Sequence, residues 1–410
     1  MHRVASAVLI GTACLAWPAG EARAASITLA WDPSPDASVV AYVVHYGTQP
    51  GQYSGTVEVP ASTTTYTFSD LPKFVRFYFA VQARDDRGVV SPLSAEVSGF
   101  ALDPIKRFTE LDGDGRADIV IWRPGQGQWY VLTSSSGYSH GSYRSFQWGI
   151  GSLGDVPVAG DFDGDGRLDA AIWRPTDGTW WVLTSGSAFR SYFTVQWGIG
   201  SVGDLPVPGD FDGDGRSDIA VWRPGTGYWW IKTSTSGYQA YFTVRWGEGR
   251  FFDVPVPADY DGDGRIDPAV WRPGEGRWYT LMSSSGYTQQ LNIQWGVGSL
   301  GDLPVPGGDF DGDGRAELTV WRPSEGNWYI RTSRSGYSSH FQARWGLGSL
   351  GDVPLVEDYD GDRRSDIVVW RASEGRWWVL TSGSEFQRYF TVLWGEGSSG
   401  DRPLATPVIR

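Results

Sequence analysis

The sequence predicts an all-β chain, a small N-terminal sandwich followed by a β-propeller with six blades preferred over seven. Three observations predict this. Residues 26–100 alternate apolar and polar positions in short runs broken by turn residues, the period-two pattern of strands. The roughly 300 residues after them repeat one unit six times, with acidic loops starting at Glu110, Asp161, Asp210, Asp259, Asp309 and Asp358. Those starts lie 49–51 residues apart, the length of one four-stranded blade. Helical periodicity is absent throughout.

Residues 1–24 are expected to be a bacterial-type secretory signal. His2 and Arg3 precede an apolar run from Val4 to Trp17, and Ala22-Arg23-Ala24 supplies a cleavage site before Ala25. The run is too short to span a bilayer. The one Cys, Cys14, lies inside it, and Gly11 occupies the place where a lipoprotein signal needs a large aliphatic residue. The mature chain is therefore expected to contain neither a thiol nor a disulfide, and to need cores or metals to hold it. Its expected location is secreted or extracellular, in the periplasm or at the cell surface, with no membrane span.

Residues 25–101 form the first expected domain. Strands are expected at Ile27–Trp31, Val39–Tyr46, Thr65–Phe68 and Arg76–Arg84. Trp31, the segment YVVHYGTQPGQY and the segment LPKFVRFYFAVQARDDRGVVSPLS together resemble a fibronectin type III domain. The resemblance implies a β-sandwich used as a spacer or adhesion module. Where that family places a corner Tyr after Leu71, this chain has Phe77, with Tyr78 beside it. His45 and His140 are lone histidines, expected to be structural or at the surface.

Residues 102–410 form the second expected domain. In the third unit the strands are expected at Leu205–Pro208, Asp218–Trp222, Tyr228–Lys232 and Tyr241–Trp246. Pro in the first suits a short edge strand at the inner end of a blade. The chain ends on GDRPLATPVIR, in which Asp401, Pro403 and Leu404 match Asp204, Pro206 and Val207. The first unit begins irregularly, so this last segment is expected to pair with it and fasten the ring.

The strongest chemical signal is the loop D-x-D-G-D-G-R-x-D. Oxygen ligands at positions 1, 3, 5 and 9, with the main-chain carbonyl of position 7, converge on one point and suit Ca²⁺, which takes six to eight oxygens. Three units match fully. These are Asp161, Asp163, Asp165, Arg167 and Asp169; Asp210, Asp212, Asp214, Arg216 and Asp218; and Asp259, Asp261, Asp263, Arg265 and Asp267. The first unit begins with Glu110, before Asp112, Asp114, Arg116 and Asp118, and the fifth ends in Glu317, after Asp309, Asp311, Asp313 and Arg315. The longer Glu is expected to tilt these cages. The sixth has Asp358, Asp360, Asp362, Arg364 and Asp366, but Arg363 stands where the others have the turn glycine. An EF-hand begins alike but needs Glu at position 12, where Ile172, Val221 and Val320 stand. An Asp-Gly turn without metal is the alternative, and it weighs most on the sixth unit.

These loops, each followed by a strand, resemble the FG-GAP and VCBS repeats of β-propellers, including the calcium-binding blades of integrin α-chains. The resemblance covers residues 108–410. It implies Ca²⁺, up to six ions, held between the first and second strands of each blade by the residues just named.

Each unit also repeats W-R-P-x-x-G-x-W and closes on W-G, as at Trp122, Trp129 and Trp148. The first two Trp are expected to be cross-strand neighbours, with Arg123 and its equivalents over a Trp face. Packing is the preferred role; a ring of sugar platforms is the alternative, with Trp181, Trp230 and Trp378 the candidates for exposure. No Ser-His-Asp set, repeated His or phosphate loop is present. The expected function is a non-enzymatic, monomeric calcium-binding module that binds or scaffolds a protein or a glycan. A lectin using repeated Trp pockets is the alternative, and a polysaccharide lyase is less favoured.

The net charge of −13 first argues against a nucleic-acid partner. The six loops hold 24 of the 47 acidic residues, so the other 23 face 34 basic ones, a balance of +11. Six Ca²⁺ would bring −13 to −1. The acidity is thus local to the loops and says little about partner charge, although no nucleic-acid partner is expected.

Overall fold

The computed structural model describes residues 7–10, 25–71, 76–100 and 109–404. The expected signal falls outside them except for Ala7–Ile10. The chain divides into two compact units, Met1–Ile105 and Lys106–Arg410.

The first unit has two antiparallel sheets. One orders Ala7–Ile10, Ala25–Trp31 and Thr65–Leu71; the other orders Gly55–Pro60, Val39–Gly47, Arg76–Asp85 and Val97–Phe100. Gly55–Pro60 and Val97–Phe100 were not expected from the sequence. Period-two burial of Phe77, Phe79, Val81 and Ala83 meets Leu29, Trp31, Tyr42 and Val44 in one core. Phe77 has no hydroxyl for a corner bond and is buried in this core instead.

The second unit consists, among the described residues, of six four-stranded antiparallel sheets. The second blade shows the plan with Val156–Gly160, Asp169–Arg174, Thr179–Leu183 and Tyr192–Gln196. The second strand is almost wholly buried, the third alternates, and the fourth is half-exposed. Burial thus peaks at the second strand and falls from there to the outer one. The first strand shrinks to Leu205–Pro206, Val254–Pro255 and Leu303–Pro304 in three blades. Proline has no N–H for the ladder, which shortens the pairing. In the fourth blade Pro268 likewise delays the second strand to Ala269–Arg272.

Each sheet packs on the next through a separate apolar cluster. The last cluster joins Val368, Trp370 and Val379 of the sixth sheet to Ile119, Ile121 and Leu132 of the first, so the ring closes. The first sheet takes its innermost strand from the end of the chain: Arg402–Leu404 pairs with Trp122, Ile121 and Val120.

The Trp repeat is a hydrogen-bonded frame. Trp173 and Trp180 face each other across the strand pair, and both indoles donate to the carbonyl of Trp197, at 3.1 and 3.0 Å. Trp197 in turn donates to the carbonyl of Trp230 in the next blade, at 3.0 Å. A buried indole needs such a partner, which explains why three Trp recur together. The Arg after the first Trp forms a two-pronged pair with a buried Asp at the start of the blade. Arg174 meets Asp155 at 2.7 and 2.9 Å. In the first blade the same pair is Arg123 with Asp401, at 2.6 and 2.8 Å, across 278 residues. These Arg also lie over a ring, as expected, but that ring is Trp only at Trp181, Trp230 and Trp378; elsewhere it is Tyr130, Tyr279 or Tyr329.

Candidate metal centres

In the second to sixth blades the acidic loop joins the first and second strands, and in the first blade it leads into Ile119–Arg123. In the second blade, Asp161 accepts the backbone N–H of Gly164 at 2.6 Å and of Gly166 at 2.8 Å, one on each oxygen. Both glycines have positive φ, 83° and 82°, which turns their N–H groups inward. Asp163 accepts from Asp165, and Asp165 accepts from Arg167. Asp169 accepts from Phe162 and Asp163 on one oxygen and from Ser185 N and Oγ on the other. All four of its acceptor sites are thus engaged, so Asp169 staples the loop to its blade in this arrangement.

The carboxylates converge. Asp309, Asp311, Asp313 and Glu317 each place an oxygen within 4.8 Å of the others. The longer Glu317 therefore completes a cluster of four carboxylates. Glu110, Asp112 and Asp118 meet in the first loop, Asp161, Asp163 and Asp169 in the second, Asp210, Asp212 and Asp218 in the third, and Asp259, Asp261 and Asp263 in the fourth. Asp114, Asp165, Asp214 and Asp267 stand outside these sets. In the sixth loop Asp358 accepts from Gly361 and Arg363, and Asp366 repeats the bonds of Asp169. Arg363 adopts the glycine geometry at φ 71°, a strained conformation for a residue with a β-carbon.

Burial dominates the electrostatics. It pushes Asp118 up to about 8, and Asp169, Asp218, Asp267 and Asp366 up to about 7, with neighbouring carboxylates adding to the shift. Burial likewise raises Asp259 to about 8 and Asp309 to about 7. Glu110 and Glu317 are raised for the same reason. The backbone donors oppose the shift without cancelling it. A hard divalent cation fits this donor set: all its ligands are oxygens, they lie close together, and their negative charge is poorly met by the chain itself.

Two further contributors escaped the sequence analysis. A Ser from the loop between the third and fourth strands reaches the cluster in every blade: Ser134, Ser185, Ser234, Ser283, Ser333 and Ser382. The signal was a Ser recurring 16 residues after position 9. The position-7 Arg side chains also reach the preceding loop, and Arg364 in addition pairs with Asp362 of its own loop at 2.9 Å. A β-carbon on Gly164 would lie 2.7 Å from Arg216 Nε, and one on Gly361 would lie 2.9 Å from Arg116 Nε. Each Arg thus covers the preceding loop, and glycine leaves room for it.

The loops are linked in a closed cycle. The N–H of position 8 donates to the position-1 carbonyl of the preceding loop, from Leu168 to Glu110, Ser217 to Asp161, Ile266 to Asp210, Ala316 to Asp259, Ser365 to Asp309 and Ala117 to Asp358. The distances are 2.6–2.7 Å. The six candidate sites therefore share one backbone ring.

A family model described as FG-GAP-like repeat matches residues 111–172 and 210–270, and the fibronectin type III domain model matches 19–100. No curated protein matches this chain. Similar solved structures include apo AztD from Citrobacter koseri, 13% identical, covering 90% of this chain and 97% of that one at a TM-score of 0.31. A protein from Lactobacillus plantarum is 13% identical and covers 75% and 97% at a TM-score of 0.37. The chain therefore carries a fibronectin type III domain followed by FG-GAP-like repeats.

Proposed function

We propose that the chain is a secreted, non-enzymatic binding module whose ring of blades is held by up to six Ca²⁺ ions. The single observation that carries this is the closed cycle of acidic loops, in each of which several carboxylates converge under a single Arg from the next loop. The ion supplies the rest of the positive charge. Position-1, -3, -5 and -9 carboxylates would hold it, the position-9 carboxylate also orients the loop, and the Ser hydroxyl would yield to it. The signal-like N-terminus, the absence of thiols after it and the fibronectin type III domain support an extracellular site of action. There Ca²⁺ is abundant, and affinities of ~10⁻⁴–10⁻³ M suffice. The ligand belongs to the class of proteins or glycans.

The test is a count of calcium per chain by atomic emission after dialysis, with thermal melts in Ca²⁺ and in chelator. Several bound ions and a lower melting temperature in chelator are expected. A protein that holds no calcium and melts alike in both would sink the proposal.

A further inference from the structure

On the outer rim each seam between blades is lined by the third Trp of one blade and two residues of the next. These two are the middle of its third strand and the start of its fourth. Between the first and second blades they are Trp148, Trp181 and Tyr192. Trp148 lies 5.3 Å from Tyr192 at 56°, Trp181 lies 5.9 Å from Tyr192 at 33°, and the two Trp are 6.5 Å apart at 74°. The arrangement returns around Tyr241, with spacings of 5.1, 6.2 and 6.4 Å. It returns again around Tyr389, with 5.1, 6.0 and 6.4 Å. The three Tyr rings remain 56–57% exposed.

These Trp pack against the apolar clusters of the seams, but packing does not account for their N–H groups. Where a blade has Tyr in the same place, its hydroxyl reaches the adjacent turn: Tyr130 to Gln126, Tyr279 to Glu275, Tyr329 to Glu325. The indole N–H groups of Trp181, Trp230 and Trp378 are buried without a hydrogen-bond partner. A buried donor without a partner is destabilising. Stability alone therefore favours Tyr. The three blades that carry the larger indole face each pair it with an exposed Tyr; the seam of the first blade has the exposed Tyr143, 5.6 Å from Trp394, beside Tyr130 instead of an indole.

The charge of the seams narrows the ligand. Arg174, Arg223 and Arg371 stack on the three Trp at 5.4, 5.5 and 5.5 Å, and each is already paired with a buried Asp. Thr194 and Thr243 stand directly across the strand pair from Trp181 and Trp230 and are exposed. The seams offer aromatic faces and hydroxyls, the complement of a sugar ring with one C–H face and several hydroxyls. Two other cations lie over these rings, Lys232 over Trp197 and Arg376 over Trp378, and Arg376 stands 3.7 Å from Glu374.

Resting on the binding-module reading above, we infer that these three seams are equivalent sites for a neutral carbohydrate. Three copies on one rim would favour a polymer or a surface bearing repeated sugars, through avidity.

The experiment compares the full chain with Tyr192→Ala, Tyr241→Ala, Tyr389→Ala and the triple variant. The probe is an array of neutral oligosaccharides and polysaccharides, with sialylated and uronate-bearing glycans as charged controls. Retention of the wild type on neutral glycans is expected, with a stepwise loss that reaches about a hundredfold in the triple variant. Gln290→Ala, at the equivalent place in a seam without a triad, should bind as wild type. Equal binding by the triple variant, retention on charged glycans only, or no glycan retained at all overturns the inference. Melts of the same preparations in Ca²⁺ and chelator judge the module reading separately. A normal calcium response with no glycan bound removes the seam sites alone, and an unaltered melt in the triple variant excludes misfolding as the cause of lost binding.

Discussion

The two ends of each blade's second strand bury an acidic residue in opposite ways. In the second blade, Asp169 starts the strand and Arg174 ends it. At the Arg174 end, buried Asp155 meets a guanidinium in a two-pronged pair, so the charge is balanced within the chain. At the Asp169 end, buried carboxylates face one another and neutral N–H and hydroxyl donors. One end is therefore self-sufficient, and the other, on the reading proposed above, depends on pH and on a cation. A ring with no disulfide in its described residues thus has one constant fastening and one conditional fastening.

The largest effect expected from this contrast is on pH dependence. The position-9 carboxyls are raised above their ordinary value, so their stabilising protonated form is fully present below about pH 4. That contribution is lost as pH rises through about 7 to 8. Without a cation, stability should fall over this range. Calcium needs the charged oxygens, so its stabilising effect should grow over the same range. Melts at pH 5 and pH 8, each in chelator and in Ca²⁺, check both signs. A chelated protein that gains stability with pH would mean that backbone donors alone satisfy the charges.

The paired end should respond differently. Asp401→Ala removes the partner of Arg123 at the closing blade and should cost about 3–5 kcal/mol. Because no ion is involved there, the loss should be the same in Ca²⁺ and in chelator by chemical denaturation. A loss seen only in Ca²⁺ would mean that the two ends are coupled.

Single loops give smaller effects. Asp165→Ala should remove one bound ion. At ~1 mM Ca²⁺ and a Kd of ~0.1 mM that is about 1.4 kcal/mol, absent in chelator. Calcium counting and paired melts separate this from a structural cost. In the sixth loop, Arg363→Gly should stabilise the protein by about 1 kcal/mol by relieving a positive φ. A destabilising result would show that the Arg side chain contributes more than its backbone strain costs.

Much of this architecture was legible in the chain. Asp161, Asp163 and Asp165 alternate within five residues around glycines, and local geometry alone brings such oxygens together. Asp401 and Leu404 repeat Asp204 and Val207, which marked the closing strand. The glycine geometry forced on Arg363 was legible too, since a turn conformation is local.

Other roles could not be extracted from spacing. Ser185 reaches Asp165 and Asp169 because the third strand returns beside the second. Arg167, expected only as a carbonyl donor, sends its side chain over Gly113 of the preceding loop. Asp155, visible as a repeated Asp before the first strand, acquired a partner only once the sheet brought Arg174 beside it.

The sequence by itself determined the repeat, the strands and the acidic loops, because each depends on residues within a few positions of one another. The tertiary structure alone decided which loop links to which, which Asp is paired and which aromatic rings stay open. Those depend on sheets packing face to face, where partners come from the neighbouring blade and, at the closure, from the opposite end of the ring domain.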